Sequence, residues 1–172
     1  MRWMWIDQIV SFEADRRLSA IKNISLAEEH LHDHFPAEGD LDAQPVMPMS
    51  LIIEGMAQTA GVLVGTVNRF REKVILAKVV SARLACDVRP GETLRYDAEI
   101  ERIDTAGAAT TGVVSRLRHP QTVWEEIGRI DLMFSHIDRN MAGIAFPEEN
   151  FVFGENFRTI LRSAGLDHLA PA

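Results

Sequence analysis

Two side chains in the first third of the chain have types suited to proton transfer: His34, at the head of His34-Phe35-Pro36, and Glu54, inside Leu51-Ile-Ile-Glu-Gly-Met-Ala-Gln58. An imidazole with an unperturbed pKa of about 6.5 is largely neutral at pH 7 and can accept a proton. A carboxyl beside Ile52, Ile53 and Met56 must find a partner or take up a proton, which raises its pKa and suits it to be a general acid. Gln58 stands one helical turn beyond Glu54 on the same face, where it can orient that carboxyl. Residue types alone leave a plainer reading open, in which Glu54 is a buried carboxyl satisfied by a backbone group and His34 is a loop residue. They also raise a metal site, because His30, His32 and His34 alternate and would share one face of an extended strand. Neither the metallo-β-lactamase nor the cupin spacing is met, so no metal is expected. His30 and His32 then read as surface or loop residues, and Glu28 and Glu29 as a solvated face.

The element that must carry Glu54 is a helix running from Leu51 to Phe70. Leu51, Ile52, Ile53, Met56, Val62, Leu63, Val64 and Val67 fall on every side of it, so it should be wrapped by protein. Gly55, Gly61 and Gly65 within it cost roughly 1 kcal/mol each relative to alanine, which implies a backbone, sheet or ligand packed hard against the helix. Pro48 suits a first helical turn and Ser50 is the expected cap. Around the helix, Met4 to Phe12 and Leu18 to Ser25 read as a hairpin joined by Glu13-Ala-Asp-Arg16. Val74 to Val88 is apolar and β-branched, Arg89-Pro-Gly-Glu92 is a turn, and Leu94, Tyr96, Ala98 and Ile100 alternate with charged residues as a half-buried strand. Thr110 to Arg118 and Val123 to Ile137, joined at His119-Pro-Gln-Thr122, complete a meander. Several strands, one inserted helix and no βαβ alternation define an α+β class. Trp3 and Trp5 read as packing residues rather than a stacking platform.

At 172 residues with a 47% hydrophobic fraction, the chain suits one soluble domain with a real core. The N-terminal segment has no secretory pattern, and the only run near membrane length carries Glu54, Gln58, Asn68 and Arg69, so a cytoplasmic protein without membrane insertion is expected. The single cysteine, Cys86, excludes an internal disulfide and reads as a buried strand residue. A net charge of -7 without a basic tract argues against nucleic acid as partner, and means that an acidic carrier protein would need a local basic patch.

His34-Phe-Pro36, Pro45-Val-Met-Pro48, Leu51, Glu54 and Ala57-Gln58 together resemble the signature of the 3-hydroxyacyl-acyl-carrier-protein dehydratases of bacterial fatty acid synthesis. Flanking stretches, Trp5 to Ile9, Ala20 to Ser25, Ala82 to Ala85 and Arg89 to Leu94, extend the likeness over residues 3 to 137. The resemblance implies a hotdog fold, an antiparallel sheet wrapped around one long central helix, spanning residues 1–138, with 139–172 as a C-terminal extension. In that extension Asn150 to Phe153 reads as a short strand, and Phe157, Ile160 and Leu161 as a short amphipathic helix ended by Gly165. It further implies a homodimer, or an oligomer of dimers, whose sites pair a histidine of one subunit with a carboxylate of the other.

On that likeness His34 is the base and Glu54 the acid in dehydration of a 3-hydroxyacyl thioester carried by acyl carrier protein or coenzyme A, with no cofactor. Phe35, Met49, Ser50 and Gln58 line the substrate, a backbone N–H at the start of the helix binding the thioester carbonyl. The chain departs from the pattern at Asp33 and Met49, where the family has glycine, and at Ala37-Glu-Gly-Asp-Leu-Asp-Ala-Gln44, where the family has a pair of residues. A hotdog thioesterase and a non-catalytic acyl-thioester-binding protein are the alternative readings.

Overall fold

The computed structural model describes residues 4–136 and 154–169. The chain opens with strands β1 (Gln8–Glu13) and β2 (Arg17–Asn23), a single helical turn α1 (Glu29–His32) and the long helix α2 (Met49–Val67). Four long strands follow: β3 (Val74–Leu84), β4 (Glu92–Ile103), β5 (Gly107–Arg118) and β6 (Glu125–His136). All pair antiparallel in one sheet of order β1-β2-β4-β5-β6-β3.

The alternation read in β4 holds: Leu94, Tyr96 and Ala98 are buried while Arg95, Asp97 and Glu99 face the other side. One side chain type per face lets the sheet curl its apolar side around a single object. That object is α2, which touches β2, β3, β4, β5 and β6. Every residue of α2 from Gly55 to Thr66 is buried, the condition its all-round apolar surface requires. By length and composition this helix is apolar enough to cross a membrane, but here that surface is covered by the sheet.

The glycine argument is answered most sharply at Gly55, where an added Cβ would overlap the ring of Tyr96, itself 0% exposed. At Gly61 the neighbour is the ring of Phe134, at ordinary contact distance.

Several boundaries differ from the sequence reading. Ser50 is not the cap: Pro48, at φ -58 and ψ 133, stands in the N-cap position, and its carbonyl accepts from Leu51 and Ile52. Proline's fixed φ, with an extended ψ, is compatible with that half-helical position, so the helix starts early and Ser50 rides exposed in its first turn. The helix ends at Val67, three residues short of Phe70, because Arg69 and Phe70 turn left-handed at φ 50 and 54. β3 stops at Leu84, and Cys86 is half-buried in the bend beyond it rather than in a strand. Trp5, 8% exposed, is a packing residue with its ring edge-on to that of His30.

In the C-terminal segment α3 (Glu155–Ser163) buries Ile160 and Leu161 and lies against β1, and Gly165 at φ 71 follows its end. Trp3 and the strand expected over Asn150 to Phe153 lie outside the described residues.

The two edges of the sheet contrast. β1 is six residues long and bulged between Ile9 and Ser11, whereas β3 is eleven residues long and leaves Leu76, Val79 and Val80 exposed.

Candidate active site

Glu54 sits one turn into α2, half-buried where the helix emerges from the sheet, rather than sealed among Ile52, Ile53 and Met56. Its Oε1 accepts from Gln58 Nε2 at 3.0 Å. Gln58, 7% exposed, is held in turn by the backbone N–H of Trp5, which donates to its Oε1 at 2.8 Å. The amide of Gln58 is thereby fixed: its oxygen faces Trp5 and its nitrogen faces the carboxylate.

His34 belongs to the irregular segment after α1. Its Nδ1 lies 2.8 Å from the carbonyl oxygen of Leu31. A carbonyl only accepts, so Nδ1 carries the proton and Nε2 of the neutral ring holds the lone pair. Leu31 is fully buried, which anchors the acceptor.

The residues expected to line the substrate fall into two groups. Met49 and Ser50 occupy the exposed opening turn of α2, where the first N–H groups precede any intrahelical acceptor. Phe35 is 81% exposed, and so is most of the insertion that follows it, with Leu41 at 74%. The insertion is a tight turn, Glu38 and Leu41 bonding each other's backbone, closed at its base by the bridge between Phe35 and Gln44. Gln44 also accepts from Arg89 at 3.1 Å, which ties the insertion to the β3–β4 turn. Among the described residues no hydrogen bond joins His34 to Glu54.

The extended run of three histidines does not exist. α1 coils Glu29 to His32, and residues two apart on a helix do not share a face. His30 points inward, with Nε2 3.3 Å from Met47 Sδ and its ring 5.1 Å from that of Trp5, while His32 is exposed.

Nor is Glu28 part of a solvated face: its Oε1 lies 2.5 Å from Lys22 Nζ, and Asp7 Oδ1 lies 3.0 Å from the same nitrogen. Burial acts to lower the pKa of Lys22, but its hydrogen bonds to Glu28 and Asp7 outweigh it and the net shift is upward. Burial first, then the Asp7 and Glu28 charges, push the Tyr96 phenol far up. Sequence reasoning missed this cluster. The signal was present in β2, where Leu18, Ala20 and Lys22 share the inward register and a lysine stands in an apolar series.

A curled antiparallel sheet around one buried helix defines the hotdog fold. Solved structures agree on the fold. A dehydratase heterocomplex, ApeI:P from Xenorhabdus doucetiae, matches with a TM-score of 0.59 at 15% identity, over 78% of this chain and 83% of that one. A thioesterase family protein from Silicibacter pomeroyi matches with a TM-score of 0.56 at 10% identity, over 75% and 82%. The sequence matches the FabA-like domain family over residues 2–118. Curated relatives named 3-hydroxyacyl-[acyl-carrier-protein] dehydratase FabZ are 36% identical over 66% of this chain and 67% of their own length in Solibacter usitatus, and 33% identical over 77% and 87% in Pelotomaculum thermopropionicum. The chain belongs to the FabA-like family, and is a lyase of the dehydratase type.

Proposed function

We propose that the protein dehydrates 3-hydroxyacyl thioesters borne on acyl carrier protein to trans-2-enoyl thioesters, with His34 as base and Glu54 as acid. The observation that carries the assignment is the Leu31 carbonyl on His34 Nδ1, which leaves Nε2 as the lone-pair nitrogen a base requires. In this reading Nε2 takes the C2 proton, and the Glu54 carboxyl gives its proton to the C3 hydroxyl, which leaves as water. Negative charge gathers meanwhile on the thioester oxygen. The opening N–H groups of α2, at Met49 and Ser50, together with the positive end of the helix dipole, stabilise that oxygen. Gln58 keeps the Glu54 carboxyl aimed. The family relationship supports the reaction and the carrier-bound substrate.

The site is shared between two copies of the chain. His34 and Glu54 are not bonded within one chain, and the long β3 edge with its exposed Leu76, Val79 and Val80 offers an open ladder to a second β3. The test is ultraviolet-monitored hydration of a 2-enoyl thioester with no added metal or nucleotide, with products separated. Enoyl and 3-hydroxyacyl thioester in equilibrium is the expected result. Release of free acid would make the protein a thioesterase, and binding without turnover a non-catalytic acyl-binding protein. His34→Ala and Glu54→Ala chains refolded together should recover about a quarter of wild-type activity, since half the random dimers are mixed and each mixed dimer has one intact site. A dimeric but inactive mixture, beside a fully refolded wild-type control, would overturn the shared site.

A further inference from the structure

Lys22 occupies a core-facing register position of β2, in line with Leu18 and Ala20, and is 7% exposed. Nothing about stability asks for a lysine there. Burying an ammonium costs several kcal/mol, and replacing a buried ion pair with packed apolar side chains is often neutral or stabilising. What the lysine adds is direction. Its Nζ gathers Asp7 Oδ1 at 3.0 Å and Glu28 Oε1 at 2.5 Å, from the segments just before β1 and just after β2. Asp7 is itself held, its Oδ2 accepting from the Asn23 backbone at 2.7 Å and from Asn23 Nδ2 at 3.2 Å.

Glu28 is the N-cap residue of α1, and its carbonyl accepts from Leu31 at 2.9 Å and His32 at 2.8 Å. A helix of four residues does not hold itself together in water, so α1 depends on its tethers. The Leu31 carbonyl that α1 presents is the acceptor fixing the tautomer of His34.

We propose that Lys22, backed by Asp7, is a positioning residue for His34: it clamps Glu28, Glu28 fixes α1, and α1 holds the Leu31 carbonyl on Nδ1. The rate consequence rests on the dehydratase reading above, whereas the consequence for the imidazole does not.

Two variants separate positioning from stability. Lys22→Met leaves the half-buried Glu28 without its lysine and lowers both the melting temperature and the rate. The double variant Lys22→Met/Glu28→Leu removes both charges, while Asp7 keeps its two Asn23 donors. Its melting temperature returns to the wild-type range or above it, yet kcat stays down by on the order of 10- to 100-fold with KM little changed, the effect of a displaced catalytic group. In nitrogen-15 spectra of the histidines the His34 imidazole of the double variant moves from the Nδ1–H form to a mixture with Nε2–H. A double variant with wild-type kcat and an unaltered His34 tautomer would overturn the proposal. So would a rate loss that disappears as the melting temperature recovers. If the wild-type protein dehydrates nothing, the functional reading falls and the tautomer decides this one by itself: an imidazole unchanged in the double variant overturns it.

Discussion

The two halves of the proposed site are held by opposite means. Glu54 rides on a helix that five strands enclose, so its place follows from the core itself, and its specific partner among the described residues is Gln58. His34 rides on a loop after a single turn of helix, and beside the buried Leu31 its neighbourhood is a string of polar contacts: Lys22, Glu28, the Leu31 carbonyl. Dense packing positions a group to a fraction of an ångström and tolerates almost no change of volume. A polar string gives direction instead, at the cost of buried charge, and leaves room beside it for insertions. The eight residues 37–44 stand next to His34, and nothing comparable interrupts α2.

The contrast can be broken most severely at Glu54. Glu54→Gln keeps size and hydrogen bonding but has no titratable proton, so turnover should fall on the order of 100- to 10,000-fold with the melting temperature unchanged. Near-normal turnover in steady-state assays would make Glu54 a structural residue.

Next in size is Gly55→Ala, which tests whether the helix side is as unforgiving as its packing implies. Alanine gains roughly 1 kcal/mol of helix propensity, but its methyl meets the buried Tyr96 ring, and overpacking of this kind costs about 1 to 3 kcal/mol. A lower melting temperature is expected; a higher one would mean that β4 yields at Tyr96.

The smallest effect belongs to the loop side. Replacing 37–44 with two residues should leave the melting temperature nearly unaltered, since loop length enters stability only logarithmically. The ratio of kcat/KM for long and short acyl thioesters should change, because Phe35 and Leu41 are the exposed apolar residues nearest His34 in the chain. An unaltered ratio would remove the insertion from the mouth of the site.

The sequence by itself determined the class, the central helix and the alternation of β4, because these depend on periodicity: β4 alternates every second residue, and α2 is apolar on all sides with glycine where Tyr96 approaches. His34, Glu54 and Gln58 were legible as a motif, and the Gln58 bond to Glu54 followed from helical spacing. Only the tertiary structure decided what surrounds His34. Glu28 and His30 read as solvated residues because charge and polarity in a short loop ordinarily mean exposure; the inward register of Lys22 in β2 was legible, but not that its ammonium would meet Glu28, nor that Trp5, ahead of β1, would lie against His30. The cap moved from Ser50 to Pro48 for a similar reason, since which residue stands at the N-cap position is set by backbone angles. Contacts that recur with the period of a strand or helix are written along the chain. The contacts proposed to aim His34 are short in sequence but follow no period, and they become visible only when β2 and α1 stand side by side in the folded chain.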